Sequence, residues 1–341
     1  MSSHSNISIF VPHAGCPFKC SFCDQNAISG ETELPHAEDV RRVCEQAKRE
    51  IASPENTEIA FFGGSFTAID RGYMTELLDA AAEYVGEGGF KGIRLSTRPD
   101  FIDGEVLDLL KSRGVTAIEL GAQSLDDGVL NANARGHCSE DIIRSSRLIK
   151  QHGFELGLQI MSGLYKSTPE IERRNLRQVL EIAPDTVRIY PVVIIKGTAL
   201  ARLYEQGSFV PMPFDDIVDI CSEMLEAFDM AGIKVIKCGL HASEIVERDM
   251  LGGFYHPAFR ELCEGRIYRR KLESLLNGTG LKAEQKYDIT VSAAPSYISR
   301  VYGHKKENSL YFRDRGIKLR VLGDADIPKY EIKIKEVKLC T

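Results

Sequence analysis

The sequence predicts an α/β fold, a partial barrel of about six β/α units, (β/α)6, followed by a small α+β module. Three observations predict it. Short β-branched runs alternate with longer amphipathic stretches, which calls for a parallel sheet with helices outside. Each run ends in polar or glycine-rich residues, where a barrel of this kind gathers its chemistry. The last sixty residues change character and alternate polar with apolar residues, as half-buried strands do.

In chain order the apolar runs are Ile7 to Pro12, Glu58 to Phe62, Gly92 to Leu95, Ala117 to Leu120, Glu155 to Ile160, Thr186 to Pro191 and Lys234 to Lys237. Helical patterns lie between them at Ala37 to Ile51, Tyr73 to Val85, Gly104 to Arg113, Glu140 to His152, Glu170 to Glu181 and Phe214 to Ala231. The C-terminal strands are expected at Tyr287 to Ala293, Leu310 to Phe312, Ile317 to Val321 and Tyr330 to Val337. This divides the chain into a partial barrel over 1–240 and a C-terminal extension over 241–341, a cap with antiparallel strands.

With 341 residues, 43% of them hydrophobic and 27% charged, the chain has ample material for a large core. The net charge of −6 argues against a protein that coats nucleic acid over its whole surface. From Lys282 to Thr341, however, 13 Lys and Arg face 8 Asp and Glu. A basic tail on an acidic body is the expectation, or simply a solvated basic face. With no secretory segment, no transmembrane stretch and nine mostly scattered cysteines, the chain reads as cytoplasmic and reduced, with no membrane association.

Cys16, Cys20 and Cys23 follow the first apolar run, with three residues and then two between them. Three thiolates on one short loop can hold three irons of a 4Fe–4S cluster and leave the fourth free for a small molecule. A Cys3His zinc site using His13 or His36 is the alternative, since structural zinc wants four closed ligands. Further polar clusters fall after the later runs: Phe62 to Thr67 with Gly63 and Gly64, Ser96 to Asp100, Glu119 to Ser124, Asn133 to His137, Gln159 to Leu164 and Arg188 to Pro191. Adjacent glycines allow a backbone to approach a ligand closely. Each cluster alone reads as a capped turn, but six in register with a cysteine triad read as a site.

These residues together resemble the radical S-adenosylmethionine enzymes, within them the radical domain of the catalytic subunit of Elongator, which modifies tRNA wobble uridine. Gly63 to Ala68, Thr97 to Asp100, Glu119 to Ser124, Arg135 to His137, and Tyr190-Pro191 through Lys196 to Thr198 are similar to Elongator segments in the same order, over about Ile7 to Met224. The resemblance implies a TIM-like partial barrel with a 4Fe–4S cluster and S-adenosylmethionine as cofactors, the protein supplying placement and shielding for radical chemistry. It implies Cys16, Cys20 and Cys23 as cluster ligands, Phe22 against the adenine, and Gly63 and Gly64 presenting backbone groups to the methionine amine. Arg135 would pair with the methionine carboxylate, and Gln123 and Gln159 would bond the nucleoside. Ser96 stands where relatives often place a glutamate. A low-potential electron donor of the flavodoxin or ferredoxin type is the implied partner, and tRNA the candidate substrate. The cysteine spacing differs from that of Elongator itself. No counterpart of its acetyltransferase-like domain is seen in the chain, so carboxymethylation by this chain alone is not expected.

Substrate-side candidates are Tyr190, Lys196 and Arg188 at the barrel mouth, with Lys237 and Cys238 beside them. Cys138, Cys238 and Cys263 lie outside the triad; burial is the ordinary fate of such thiols, with Cys238 the exception because it ends the seventh run. His137, His241 and His256 are proton-donor candidates or structural histidines. Arg266 to Lys271 and Gly303 to Asn308 form basic clusters near Tyr268, Tyr297 and Tyr302, a pattern suited to RNA phosphates and unpaired bases, or to an ordinary basic surface. Two other functions stay open: a radical enzyme acting on a tetrapyrrole or other small metabolite, and a non-catalytic iron–sulfur or redox-sensing protein.

Overall fold

The computed structural model describes residues 5–12, 16, 19–23, 33–240, 244–278 and 285–340. His13 and His241 lie outside them. The chain divides into two compact units: residues 1–212, 233–237 and 241–255 form the first, and residues 213–232, 238–240 and 256–341 the second. The division is not a single cut near 240, because one helix and one strand interleave between the units.

The first unit alternates strand and helix: β1 (Ser5–Val11), α1 (Ala37–Glu50), β2 (Thr57–Gly63), α2 (Arg71–Ala82), β3 (Gly92–Thr97), α3 (Gly104–Ser112) and β4 (Val115–Gln123). It continues with α4 (Asp127–Ala132), α5 (Ser139–Gln151), β5 (Glu155–Ser162), α6 (Pro169–Ile182), β6 (Thr186–Pro191), β7 (Val193–Ile195) and α7 (Ala199–Glu205). After α8 (Phe214–Met230) of the second unit come β8 (Lys234–Cys238), α9 (Glu244–Asp249) and β9 (Met250–Gly253). The large sheet has seven strands in the order β1-β2-β3-β4-β5-β6-β8. Its neighbours from β1 to β6 run parallel, as βα repetition requires. Strictly sequential strand order without a reversal is what a partial barrel has and a doubly wound sheet lacks.

Burial on both faces explains why these strands read as continuous apolar runs rather than as alternation: all six residues of β3 are buried. The helices start where a short polar side chain caps them. Asp70 accepts from the Tyr73 N–H, Asp103 from Val106, Asp126 from Val129 and Thr168 from Ile171. β7 and β9 form a separate antiparallel pair that no local pattern announced. Among the described residues no helix is long and apolar enough to cross a membrane.

In the second unit α8 packs against α10 (Phe259–Asn277), and a three-stranded sheet has the order β11-β10-β12. β10 (Tyr287–Ala293) lies parallel to β11 (Ile317–Gly323), reached through α11 (Ile298–Tyr302) and α12 (Glu307–Arg313). β12 (Ile332–Leu339) is antiparallel to β10, so of the two pairings in a cap expected to have antiparallel strands one is antiparallel and one parallel. The expected strand at Leu310 to Phe312 is instead the last part of α12. Three apolar residues do not distinguish a strand from a helix turn, and a parallel pair needs a crossover at that place.

Candidate active site at the strand ends

The cysteine loop leaves β1 and is fastened to the loop after α4. The Ser21 N–H donates to the Asn133 carbonyl at 3.1 Å, and Ser21 Oγ to Asn133 Oδ1 at 2.7 Å. The Asn133 amide in turn donates to the carbonyls of Val129 and Tyr165. The Leu200 N–H donates to the Ser21 carbonyl at 2.7 Å. The loop after α4 and the first turn of α7 therefore fix the segment carrying Cys20 and Cys23.

Arg135 reaches this loop. Its Nη1 lies 3.0 Å from Cys20 Sγ, and its Nη2 donates to the Gly121 carbonyl at 2.6 Å. Among the described residues its buried Nε has no hydrogen-bond partner. Arg98 Nη2 donates to the Arg135 carbonyl at 2.6 Å while its guanidinium forms a two-pronged pair with Asp100. Cys16 is open to solvent on one side, yet enough protein surrounds its sulfur that burial, and then Cys20 beside it, push its thiol up. Arg98, Arg135 and a hydrogen bond from the Ser65 backbone pull it back. Two thiols, two guanidiniums and a backbone donor thus meet at the C-terminal ends of β1 to β4. Positive charge and N–H donors around sulfur suit thiolates that carry a cluster. Among the described residues no three His, Cys, Asp or Glu side chains group tightly enough to hold a single metal ion. A four-iron cube spaces its thiolates more widely than one ion does.

Gly63 ends β2 with φ at +124°, and a Cβ there would stand 2.4 Å from the Val11 carbonyl oxygen. Only glycine permits that approach. The Gly64 N–H donates to the same carbonyl at 3.1 Å, so an amine arriving here would have to meet acceptors, not this donor. Ser65, Thr67 and Thr97 form a buried hydroxyl cluster, with Thr97 Oγ1 2.9 Å from Ser65 Oγ and 2.6 Å from Thr67 Oγ1. It ties the glycine loop to the end of β3. Gln123 closes β4 in the left-handed region at φ 64°, where the β4–β5 register shifts. Such a backbone in a non-glycine residue is held by its surroundings and re-aims the side chain.

Inside the barrel a charged network replaces the apolar filling usual there. Glu119, 1% exposed, accepts from Arg188 Nε at 2.7 Å, Arg188 Nη2 at 3.0 Å and Gln159 Nε2 at 2.9 Å. Gln159 also donates to Ser96 Oγ at 3.0 Å. Arg94, fully buried, joins Glu58 at 2.8 Å, Glu155 at 2.6 Å and Glu119 at 3.5 Å. Burial alone would raise Glu119, but Arg188 and Gln159 hold it below the usual carboxylate range. Tyr190 touches this network through Arg188, and burial raises its phenol.

The structure brings together Cys16, Cys20, Gly63, Gly64, Gln123 and Arg135 around the ends of β1 to β4, with Cys23 and the half-buried Phe22 on the same turn. Ser96, Gln159, Arg188 and Tyr190 form the second, interior group. Lys196 does not join either: its side chain is exposed in the turn after β7, and its N–H bonds the Asp249 carbonyl. Cys238 is buried beside Cys263, which also contacts Cys221, all three within the second unit. Cys138 caps α5 from the surface, with Sγ 3.3 Å from Asp141. His137 is buried next to Arg135 and Arg98; burial and those charges lower it to about 4, so its ring is neutral near pH 7. The basic run Arg266 to Lys271 is largely consumed by pairing: Arg266 with Asp215 and Asp219, Arg270 with Glu226, Lys271 with Glu226 and Glu331. Tyr268 is fully buried and cannot stack on a base. Glu119 opens one of the polar clusters read from the sequence, whereas Arg94 and its partners Glu58 and Glu155 were not singled out, although a charge inside an apolar run was the signal.

Residues 10–174 match the Radical SAM superfamily, and residues 184–269 match the Radical_SAM C-terminal domain. The chain belongs to the radical SAM superfamily, a class of enzymes whose cofactors are a 4Fe–4S cluster and S-adenosylmethionine. It is 26% identical over 247 residues to a tRNA uridine(34) acetyltransferase of Dehalococcoides mccartyi, covering 62% of this chain and 54% of that protein. It is 26% identical over 205 residues to human Elongator complex protein 3, covering 54% and 38% respectively. The chain thus spans about half, or less, of the length of these relatives. Among solved structures, an archaeal Methanocaldococcus infernus Elp3 with an N-terminus deletion shares the fold with a TM-score of 0.62 at 20% identity, over 79% of this chain and 64% of that one.

Proposed function

We propose that the chain is a radical enzyme acting on RNA, with tRNA the first candidate substrate. The observation that carries the radical half is the convergence of Cys16, Cys20, Arg98 and Arg135 at the strand ends, with Arg135 3.0 Å from Cys20 Sγ. The RNA half is supported by relatives named for tRNA uridine(34), and this chain's substrate follows from theirs only by likeness.

When bound, the reduced cluster supplies the electron that splits S-adenosylmethionine into methionine and a 5′-deoxyadenosyl radical. Cys16, Cys20 and Cys23 would hold the cluster. Arg135 places positive charge at the Cys20 sulfur and keeps a guanidinium edge for a carboxylate. The Gly63–Gly64 backbone lies where an amine can be accepted, and Gln123, Gln159 and Ser96 offer hydrogen bonds to a nucleoside. Arg188 and Tyr190 face the substrate, locked in place by Glu119. A low-potential flavodoxin or ferredoxin is the electron source in this reading, and the cytoplasm its compartment.

The test is anaerobic turnover of the reconstituted protein with dithionite and S-adenosylmethionine, with and without a tRNA pool, reading 5′-deoxyadenosine and the mass of tRNA nucleosides. Stimulation by tRNA with a new nucleoside mass is expected. Stimulation by a tetrapyrrole or another small metabolite, with none by tRNA, overturns the RNA half.

A further inference from the structure

The β11-β10-β12 sheet of the second unit has one packed face and one open face. Tyr287, Ile289, Val291, Ile317, Val321 and Ile332 are buried on the packed side. The alternation that buries them turns Lys318 and Arg320 of β11 outward, and both are exposed. The register sets Lys318 beside Asp288 and Arg320 beside Thr290, with Lys338 and Glu336 on the other flank and Lys333 opposite Ser292. Lys286, just before β10, is exposed at the same end.

Many cations of this unit are spoken for, while three on this face are not; Lys305 and Lys306 stand exposed elsewhere in the unit. The α10 cluster is bound to carboxylates of α8, Lys329 to Asp229 and Arg300 to Glu261 and Glu264. On the open sheet Lys335 pairs with Asp324 and Lys338 with Glu336. Among the described residues, Lys318, Arg320 and Lys333 make no ion pair and no hydrogen bond through their side chains. Two residues along a strand advance about 7 Å, and crossing two strand spacings spans about 10 Å. Lys318 and Arg320 therefore stand about 7 Å apart along β11, with Lys333 about 10 Å across the sheet and further along it, all three exposed. Such an array complements a run of phosphates, where affinity comes from the backbone charges of a nucleic acid.

We propose that this open face, with Lys318, Arg320 and Lys333 as its free cations, docks the phosphate backbone of the RNA substrate. The inference rests on the RNA reading above and moves the contact surface away from the Arg266 to Lys271 run. Edge strands also carry charges simply to prevent strand pairing between molecules, and β11 and β12 are edges. The experiment separates the two roles.

Binding of a tRNA transcript to the full chain is measured by anisotropy from 50 to 300 mM salt for three proteins. These are wild type, the triple variant Lys318→Gln/Arg320→Gln/Lys333→Gln, and a control with the same charge change on exposed residues of the first unit, Lys48→Gln/Arg147→Gln/Lys234→Gln. Each phosphate contact contributes about 0.7 to 0.9 to the slope of log affinity against log salt, so the triple variant is expected to lose about 2 from that slope. Its affinity at the lowest salt falls at least about tenfold, while the control keeps the wild-type slope. In wild type, tRNA shields Lys318 and Lys333 from amine acetylation and leaves Lys48 and Lys234 reactive, a readout independent of how the variants fold. A triple variant with wild-type affinity and slope, or unshielded lysines under saturating tRNA, overturns the docking face and leaves the RNA reading standing. A wild-type protein that binds no tRNA at 50 mM salt overturns both.

Discussion

Replacing Glu119 by Gln removes one charge from the barrel interior without changing shape. The carboxylate is 1% exposed and holds both prongs of Arg188, at 2.7 and 3.0 Å, with Arg94 3.5 Å away. An amide in its place directs an NH2 toward donors from at least one side. Arg94 keeps Glu58 and Glu155, but Arg188 is left with no carboxylate among the described residues. Breaking a buried pair by losing one member costs about 3–5 kcal/mol. Arg188 retains 14% side-chain exposure, which places the cost near the lower end, about 3 kcal/mol. With a urea slope of about 3 kcal/mol/M, the midpoint of the transition seen by far-UV circular dichroism drops by about 1 M. The double variant Glu119→Leu/Arg188→Met removes both charges and is expected to recover most of that loss, since apolar replacement of a whole buried pair is often neutral. A Glu119→Gln midpoint within about 0.3 M of wild type, or a double variant as unstable as the single one, would refute the account of this network.

Burial raises Glu172 to about 7, although the Gly163 N–H and Ser167 hydroxyl bond it, so its folded value exceeds its unfolded one. The stability it contributes is full below the unfolded carboxylate value and is lost as pH rises from about 4.5 to about 7. Glu172→Gln should flatten that decline in urea titrations at several pH values; an unchanged pH profile contradicts it. Gly63→Ala drives a Cβ to 2.4 Å from the Val11 carbonyl in a left-handed backbone, a cost of about 3 kcal/mol, read as a lowered thermal midpoint. A midpoint equal to wild type would show that β1 can move aside. Arg135→Ala should keep iron and sulfide content while weakening S-adenosylmethionine binding in equilibrium dialysis, and a variant that binds it as wild type does removes Arg135 from the cofactor site.

The barrel strands were legible because burial on both faces makes them short apolar runs, and the helices because Asp70, Asp103, Asp126 and Thr168 punctuate their starts. The cysteine spacing and the Arg135 segment were legible because local sequence sets them. What sequence did not carry was pairing across distance. The Arg266 to Lys271 run looks like a nucleic-acid surface until α8 supplies Asp215, Asp219 and Glu226. Tyr268 looks available until the second unit closes over it. Lys196 fell at a plausible mouth position, but β7 pairs with β9 and turns it outward. Leu310 to Phe312 lacked any cue that β10 and β11 run parallel and need helices between them.

In the proposed function, Cys16, Cys20 and Cys23 hold the cluster on which the radical chemistry of this chain depends. Anaerobic reconstitution with iron and sulfide, dithionite reduction and chromatographic detection of 5′-deoxyadenosine from S-adenosylmethionine, for wild type against Cys20→Ala, tests it most directly. Wild type is expected to yield 5′-deoxyadenosine, and a Cys20→Ala protein that remains folded none. Wild-type protein carrying a full four-iron cluster yet yielding no 5′-deoxyadenosine, or equal yield from both proteins, would contradict it.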